Sequence, residues 1–99
     1  MATRTRTVVF TDLANYTKAV QRADREGLRN LIARHHEMVT PTLVRYGGKV
    51  VKNLGDSFMA LFPAATDAVR AALDLVENIP SQGQFSIRVG IATGDVEEI

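Results

Sequence analysis

Apolar and polar residues are arranged along the first half of the chain in a strand pattern followed by a helix pattern. Residues 7–13 (TVVFTDL) are β-branched and apolar without a helical period, which predicts a buried strand. Residues 14–21 predict a short helical turn, and a long helix follows from Asp24, a residue suited to an N-cap, up to Gly47-Gly48. The predicted apolar face of this helix comprises Leu28, Leu31, Ile32, His35, Val39, Leu43 and Tyr46.

The second half of the chain predicts three strands and one more helix. Residues 49–55 and 56–62 read as two strands joined by a tight hairpin at Leu54-Gly55-Asp56. A helix opens after Pro63, and residues 85–94 predict a fourth strand with Arg88 facing outward. The predicted inward residues are Ala68, Val69, Ala72, Leu73, Val76 and Ile79 on the helix and Ile87, Val89 and Ile91 on the strand.

This order of elements predicts an α+β fold with a ferredoxin-like βαββαβ core. Right-handed crossovers around a central hairpin give an antiparallel sheet in the order 4-1-3-2, with the helices packed on one face. The length favours one domain over residues 1–99. Residues 1–6, which include Arg4 and Arg6, precede the first predicted strand and are expected to be the end of a linker.

Two aspartates fall at strand ends that this topology brings together. Asp12 lies near the end of the first strand, and Asp56 lies at the start of the antiparallel third strand. Two carboxylates at one sheet edge repel each other unless a cation lies between them, and such oxygen ligands suit Mg²⁺ or Mn²⁺. Alone, Asp12 could cap a helix and Asp56 could be an ordinary turn residue. The pairing is therefore what predicts a metal site.

Composition and charge exclude several classes of protein. The chain is 45% hydrophobic and 23% charged, as in globular domains, and its net charge of +1 provides no general field for nucleic acid. It contains no cysteine, which excludes disulfides and thiolate chemistry. No apolar run reaches the roughly 18–20 residues of a membrane helix, and no signal peptide is recognisable at the start. The expected location is the cytoplasm, without membrane contact.

Three ordered segments resemble the catalytic domain of class III nucleotide cyclases. They are VVFTDLANYT (8–17), GGKVVKNLGDSFMALF (47–62) and IRVGIATGDV (87–96). The corresponding family patterns are roughly F-x-D-I/L-x-G-F-T, G-G-x-x-V/I-K-x-x-G-D-x-F-M-A-x-F and R-x-G-I-x-x-G-D-V. The resemblance extends from Thr7 to Val96, and three motifs in the right order at the right intervals form a specific signal.

The resemblance implies roles for individual residues. Asp12 and Asp56 would be the catalytic, metal-binding aspartates, with Leu13 as a further metal ligand. The substrate-binding residues would be Leu13, Ala14, Asn15, Tyr16, Thr17 and Lys52, of which the first five form a loop whose amides hold the triphosphate. Asn15 stands where the family often has glycine, Tyr16 replaces phenylalanine, and Asp95 stands where some members carry a phosphate-binding arginine.

Lys52 indicates the nucleotide. Adenylate-specific members of the family carry lysine at this position and guanylate-specific members carry glutamate. A lysine donates to the ring acceptor N1 of adenine, whereas guanine offers donors there. Lys52 therefore indicates ATP, although an exposed lysine on an edge strand also protects against aggregation.

The resemblance also implies an activity and an assembly. The reaction would convert ATP to cyclic AMP and pyrophosphate with two Mg²⁺ or Mn²⁺ ions in a head-to-tail homodimer. The family domain continues past the last motif to an asparagine and an arginine that act in the transition state, so this chain alone is expected to self-associate and to show little or no turnover.

Other interpretations remain open. A non-catalytic, cyclase-like module for dimerisation or nucleotide binding is the main alternative. Another palm-type enzyme, such as a polymerase or diguanylate cyclase, is less favoured because its hairpin would carry a second acid. His35 and His36 are adjacent on a helix and point in different directions, so they are not expected to bind one metal ion. His35 is expected to be partly buried and His36 exposed.

Overall fold

The computed structural model describes residues 2–14, 25–78 and 86–98. Their four strands form one antiparallel sheet in the order β2-β3-β1-β4. The elements are β1 (Ala2–Ala14), α1 (Arg25–Arg45), β2 (Lys49–Leu54), β3 (Ser57–Phe62), α2 (Ala65–Asn78) and β4 (Ser86–Glu98). The predicted α+β fold, strand order and hairpin are confirmed. Residues 15–21 of the predicted helical turn, Asp24 and Ile79 lie outside the described residues.

The core lies between the two helices and one face of the sheet, here called the helix-covered face. Its buried side chains come from β1, β3 and both helices, so burial of apolar surface holds these elements together. They are Val9, Val39, Leu43, Phe58, Ala60, Phe62, Ala68, Ala71 and Leu75. The opposite face of the sheet, here called the open face, carries Phe10, Asp12, Lys52, Leu54, Ser57, Met59 and Arg88.

Helix α1 ends at the predicted glycine pair. Gly47 has a φ of +89°, and its N–H donates to the carbonyl of Val44 at 3.0 Å. The N–H of Gly48 donates to the carbonyl of Leu43 at 2.9 Å. This pattern is a Schellman motif, in which glycine takes the left-handed conformation and the last helical carbonyls gain donors. The motif turns the chain directly into β2.

The buried face of α2 differs from the predicted one. Ala68 and Ala72 are buried as predicted, but Ala71 and Leu75 complete the buried face. Three predicted core residues are instead largely exposed: Val69, Leu73 and Val76. Two overlapping apolar stripes exist on this helix, and the one rich in alanine packs inward because small side chains allow the helix to approach the sheet closely. Periodicity alone could not distinguish the two stripes.

Strands β1 and β4 are longer than predicted. Residues 2–6, expected to be the end of a linker, are strand residues paired with Gly94–Glu98, since alternating threonine and arginine suit a two-stranded ribbon. The domain bounds themselves stay a prediction. Ile91 lies on the helix-covered face as predicted, since it pairs with Val9, but it is 43% exposed, whereas Ile87 and Val89 pack against the core. No described helix has both the length and the apolar character needed to span a membrane.

A β-bulge interrupts the pairing of β2 with β3. Val50 pairs with Ala60, but the next paired residue on β2 is Lys52, opposite Met59, which leaves Val51 as the extra residue. Because side chains alternate between faces, one extra residue reverses the direction of every side chain after it. Lys52 therefore lies on the open face with Met59, and Asn53 lies on the helix-covered face with Phe58. This bulge was not predicted from the sequence.

Candidate active site

The two predicted metal aspartates lie at the same end of the β1–β3 pair. The last registered pair at this end is Thr11 with Phe58. Asp12 follows Thr11 on β1, and Asp56 lies in the turn two residues before Phe58. The topology thus places the two aspartates at one sheet end, as the sequence predicted.

A cleft on the open face contains one of these aspartates together with the predicted base-binding lysine. It has a volume of about 310 Å³, and both Asp12 and Lys52 line it. Leu54 and Ser57, which flank the Gly55-Asp56 turn, line it as well. Its remaining lining residues are Phe10, Thr11, Phe58 and Met59. Lys52 reaches this cleft because of the bulge at Val51; without it the lysine would face the helices.

Asp12 has an ion-pair partner that was not predicted from the sequence. Arg88 faces outward as predicted, and its Nη2 donates to Oδ2 of Asp12 at 2.9 Å. The two residues are direct partners in the β1–β4 register. That antiparallel register, once the strand order is predicted, is the signal that could have found the pair. The positive charge of the guanidinium offsets part of the negative charge of the Asp12 carboxylate.

The Gly55-Asp56 turn is held from the side by the two adjacent histidines of α1. Nε2 of His35 lies 3.1 Å from the carbonyl oxygen of Asp56, and Nε2 of His36 lies 2.8 Å from that of Gly55. His35 is buried, beyond the partial burial predicted, and His36, predicted to be exposed, is half-buried. Both rings pack edge-on against Phe58, which anchors them to the core.

Burial dominates the electrostatics of His35. Desolvation lowers the pKa of its imidazole, opposed by the hydrogen bond to the Asp56 carbonyl and by the charges of Asp56 and Asp12. The positive charge of a protonated His36 would lower this pKa further. The neutral form of His35 is therefore favoured in the folded protein.

The predicted triphosphate loop is described only at its start. Leu13 and Ala14 are strand residues of β1, paired with Ile87 and Ser86, while Asn15, Tyr16 and Thr17 lie outside the described residues. The side chain of Leu13 is buried, so only its backbone could bind a ligand.

The carboxylates at this edge would suit an ion that is only partly enclosed by protein. Within residues 2–14, 25–78 and 86–98, no three His, Cys, Asp or Glu side chains converge on a metal-sized site. Two carboxylates without further side-chain ligands fit Mg²⁺-like ions, which keep several waters and take their other ligands from substrate phosphates. The residues present therefore fit the predicted metal.

The fold and the site can now be compared with known protein families. Residues 2–98 match the family model of the adenylate and guanylate cyclase catalytic domain. This chain belongs to that family. The cyclase domain is 33% identical over 97 residues to an adenylate cyclase of Streptomyces coelicolor, a match that covers 97% of this chain and 26% of the relative. It is 32% identical over 88 residues to an uncharacterized protein of Mycobacterium tuberculosis, covering 88% and 23%.

Solved cyclase structures share the fold of the domain. A bacterial light-regulated adenylyl cyclase superposes with a TM-score of 0.83 at 21% identity, covering 98% of this chain and 57% of the other. The guanylate cyclase domain of RhGC from Catenaria anguillulae, solved in complex with GTP, also gives 0.83 at 21% identity, covering 98% and 60%. The cyclase domain described here spans about a quarter of the length of the curated relatives that it matches first.

Proposed function

We propose that this cyclase domain takes part in converting ATP to cyclic AMP and pyrophosphate, with two Mg²⁺ or Mn²⁺ ions at Asp12 and Asp56. The observation that supports this most directly is the meeting of the two aspartates at one end of the β1–β3 pair. Lys52 on the same open face supports the choice of nucleotide. The kinship with the Streptomyces coelicolor adenylate cyclase points in the same direction.

The reaction needs few groups from the protein. The ribose 3′-oxygen attacks the α-phosphorus, the bond from that phosphorus to the pyrophosphate oxygen breaks, and the 3′-hydroxyl proton is released. When bound, the divalent ions would lower the pKa of the 3′-hydroxyl and neutralise charge on the phosphates. In this proposal Asp12 and Asp56 hold the ions, aided by the backbone of Leu13, while residues 13–17 orient the triphosphate.

Lys52 would select adenine. Its ammonium group is a donor without acceptor capacity, which suits the N1 acceptor of adenine and not the ring N–H of guanine. The lysine is exposed and lines the cleft over β1, β3 and β2. The bulge at Val51 directs it there, so its position on the open face is a property of the backbone.

A second copy of the chain would complete the site. The open face exposes Phe10 and Leu54, at 47% and 64%, beside the charged groups of the cleft. Apolar side chains around a polar site are typical of a surface that another protein covers. We propose that two copies pair through this face as a homodimer. The 99-residue chain alone is expected to have little or no turnover, because the family's transition-state asparagine and arginine belong to a later segment.

The test uses this domain joined to the segment that follows the matched region in the Streptomyces coelicolor relative. The joined protein is assayed with Mn²⁺ and ATP. Cyclic AMP should form, and Asp12→Ala or Asp56→Ala should abolish it while circular dichroism shows a retained fold. Lys52→Glu should lower ATP turnover roughly 10- to 150-fold, as expected for a lost hydrogen bond to a charged group. Undiminished activity in either aspartate variant would refute the metal assignment. Metal-dependent ATP binding without cyclic product would favour the non-catalytic nucleotide-binding module.

A further inference from the structure

The carbonyls of the Gly55-Asp56 turn have partners of an unusual kind. In a two-residue hairpin loop the ladder closes at the flanking pair, here Leu54 with Ser57, and the loop carbonyls are left to bind water. In this protein both loop carbonyls lie within hydrogen-bond distance of a histidine ring nitrogen from α1, at 3.1 Å and 2.8 Å. Two consecutive residues of a helix thus hold two consecutive residues of a turn.

The donors and acceptors of this arrangement match each other. A carbonyl oxygen only accepts, so Nε2 of each histidine carries the proton that it donates. In the neutral ring Nδ1 of His36 is then an acceptor, and the Nδ2 amide group of Asn53 lies 3.3 Å from Nδ1 and 3.4 Å from Nε2. The bulge at Val51 places Asn53 on the helix-covered face, where it can reach this ring. The Gly55 carbonyl alone therefore assigns the proton of the neutral His36 ring to Nε2.

The rings themselves have little freedom to swing. Their centroids lie 5.6 Å (His35) and 4.9 Å (His36) from that of Phe58, with interplanar angles of 61° and 67°. Phe58 is 3% exposed and belongs to the core. Two imidazoles in contact with a core ring present their N–H groups from fixed points.

We infer that His35 and His36 are positioning residues that set the direction of the Asp56 carboxylate. The carbonyl of Gly55 belongs to the peptide plane before the Asp56 Cα, and the carbonyl of Asp56 belongs to the plane after it. Hydrogen bonds that fix both planes fix φ and ψ of Asp56, and hence the direction of its Cα–Cβ bond. The inference rests on the proposed function, in which Asp56 is a metal ligand. Groups that hydrogen-bond a metal ligand itself typically change metal affinity about 10- to 100-fold when removed, and groups that hold its backbone are expected to act at the lower end of that range.

The experiment measures Mn²⁺ affinity of the 99-residue chain by electron paramagnetic resonance of free Mn²⁺, at slightly alkaline pH and a temperature where every variant is folded. His36→Leu should weaken Mn²⁺ binding about tenfold. His36→Gln, which retains an N–H donor at a similar reach, should restore most of the affinity. Asp56→Asn reports whether the metal site exists, and Tyr46→Phe, which removes a hydrogen bond at the far end of α1, is the control for lost stability.

The outcomes separate this inference from the metal assignment. Weaker binding in His36→Leu, recovery in His36→Gln and parental affinity in Tyr46→Phe support it. If Asp56→Asn loses Mn²⁺ while His36→Leu binds like the parent, the metal site stands and the positioning role is wrong. If the parent binds no better than Asp56→Asn, the metal assignment fails and this inference fails with it. Should His36→Leu not fold, nitrogen NMR of the parent decides: a His36 ring protonated at Nδ1 alone would overturn the inference.

Discussion

Replacing Arg88 with glutamine should tighten the binding of Mn²⁺ to the metal-free chain. The guanidinium of Arg88 donates to the Asp12 carboxylate at 2.9 Å, so a cation that uses this carboxylate must compete with it. Glutamine keeps a neutral donor on a shorter side chain and removes the positive charge. The local field then favours the metal ion more than in the parent.

The size of the effect follows from the exposure of the pair. The side chain of Arg88 is 66% exposed and that of Asp12 is 43% exposed, so water and salt screen their attraction. Exposed ion pairs of this kind contribute about 0.2–1 kcal/mol, which corresponds to a 1.4- to 5-fold change in Kd. The gain in Mn²⁺ affinity should shrink as NaCl is added, because salt screens the attraction between Arg88 and Asp12 and therefore also reduces the effect of removing it.

The assay is a Mn²⁺ titration of folded chain at low and at high ionic strength, and the chain offers a closely matched control. Arg70 forms an ion pair with Asp67 on α2, at 3.8 Å and with side-chain exposures of 66% and 44%. Arg70→Gln removes the same charge from a pair of the same exposure outside the site, so Mn²⁺ affinity should stay at the parental value. Unchanged or weaker Mn²⁺ binding in Arg88→Gln would refute the competition, and equal tightening in both variants would attribute the effect to net charge.

Three further predictions concern stability. The Thr11 hydroxyl is buried and has no hydrogen-bond partner among the described residues. Thr11→Val should therefore raise the free energy of unfolding in urea by about 1 kcal/mol, and a lower free energy of unfolding in the variant would contradict this. Gly48→Ala would place Cβ 2.5 Å from a core phenylalanine ring and should cost about 1–3 kcal/mol, whereas Gly90→Ala, with nothing within 4 Å, should change little. The Tyr46 hydroxyl lowers the pKa of Asp74 below its ordinary 3.8. Tyr46→Phe should therefore lower the free energy of unfolding above that pH, and this difference from the parent should vanish as pH falls through the depressed pKa. A difference in the free energy of unfolding that does not depend on pH would argue against this linkage.

The sequence predicted what depends on local chemistry. Gly47 marks the end of α1 because only a left-handed residue completes the Schellman motif, and Gly55-Asp56 marks the hairpin because glycine accepts the φ of +62° found there. Once the end of α1 and the position of the hairpin are known, the strand order follows from the handedness of the crossover connections. The meeting of Asp12 and Asp56 at one sheet end was then a matter of topology alone. The roles of residues 13–17 and of Lys52 stay predictions.

What the sequence could not predict depends on contacts across the fold. Which apolar stripe of α2 is buried depends on how the helix packs on the sheet, and the two possible packings share most of their residues. The hydrogen bonds of His35 and His36 to the turn require the distance between α1 and the hairpin, which no spacing in the chain reveals. The bulge at Val51 is equally hidden, because the apolar residues before Lys52 suit either face of the sheet.

The bulge has a consequence for how nucleotide preference could change during evolution. Its extra residue sets the outward direction of position 52 through the backbone, so whichever side chain replaces Lys52 inherits that direction. If Lys52 contacts the base as proposed, an acidic residue introduced there by point mutation would face the same cleft without any change in strand length or pairing. A single deletion at Val51, by contrast, would turn position 52 toward the helices and Asn53 away from His36. Preference can therefore drift by substitution, while insertions and deletions in this strand are expected to be eliminated by selection.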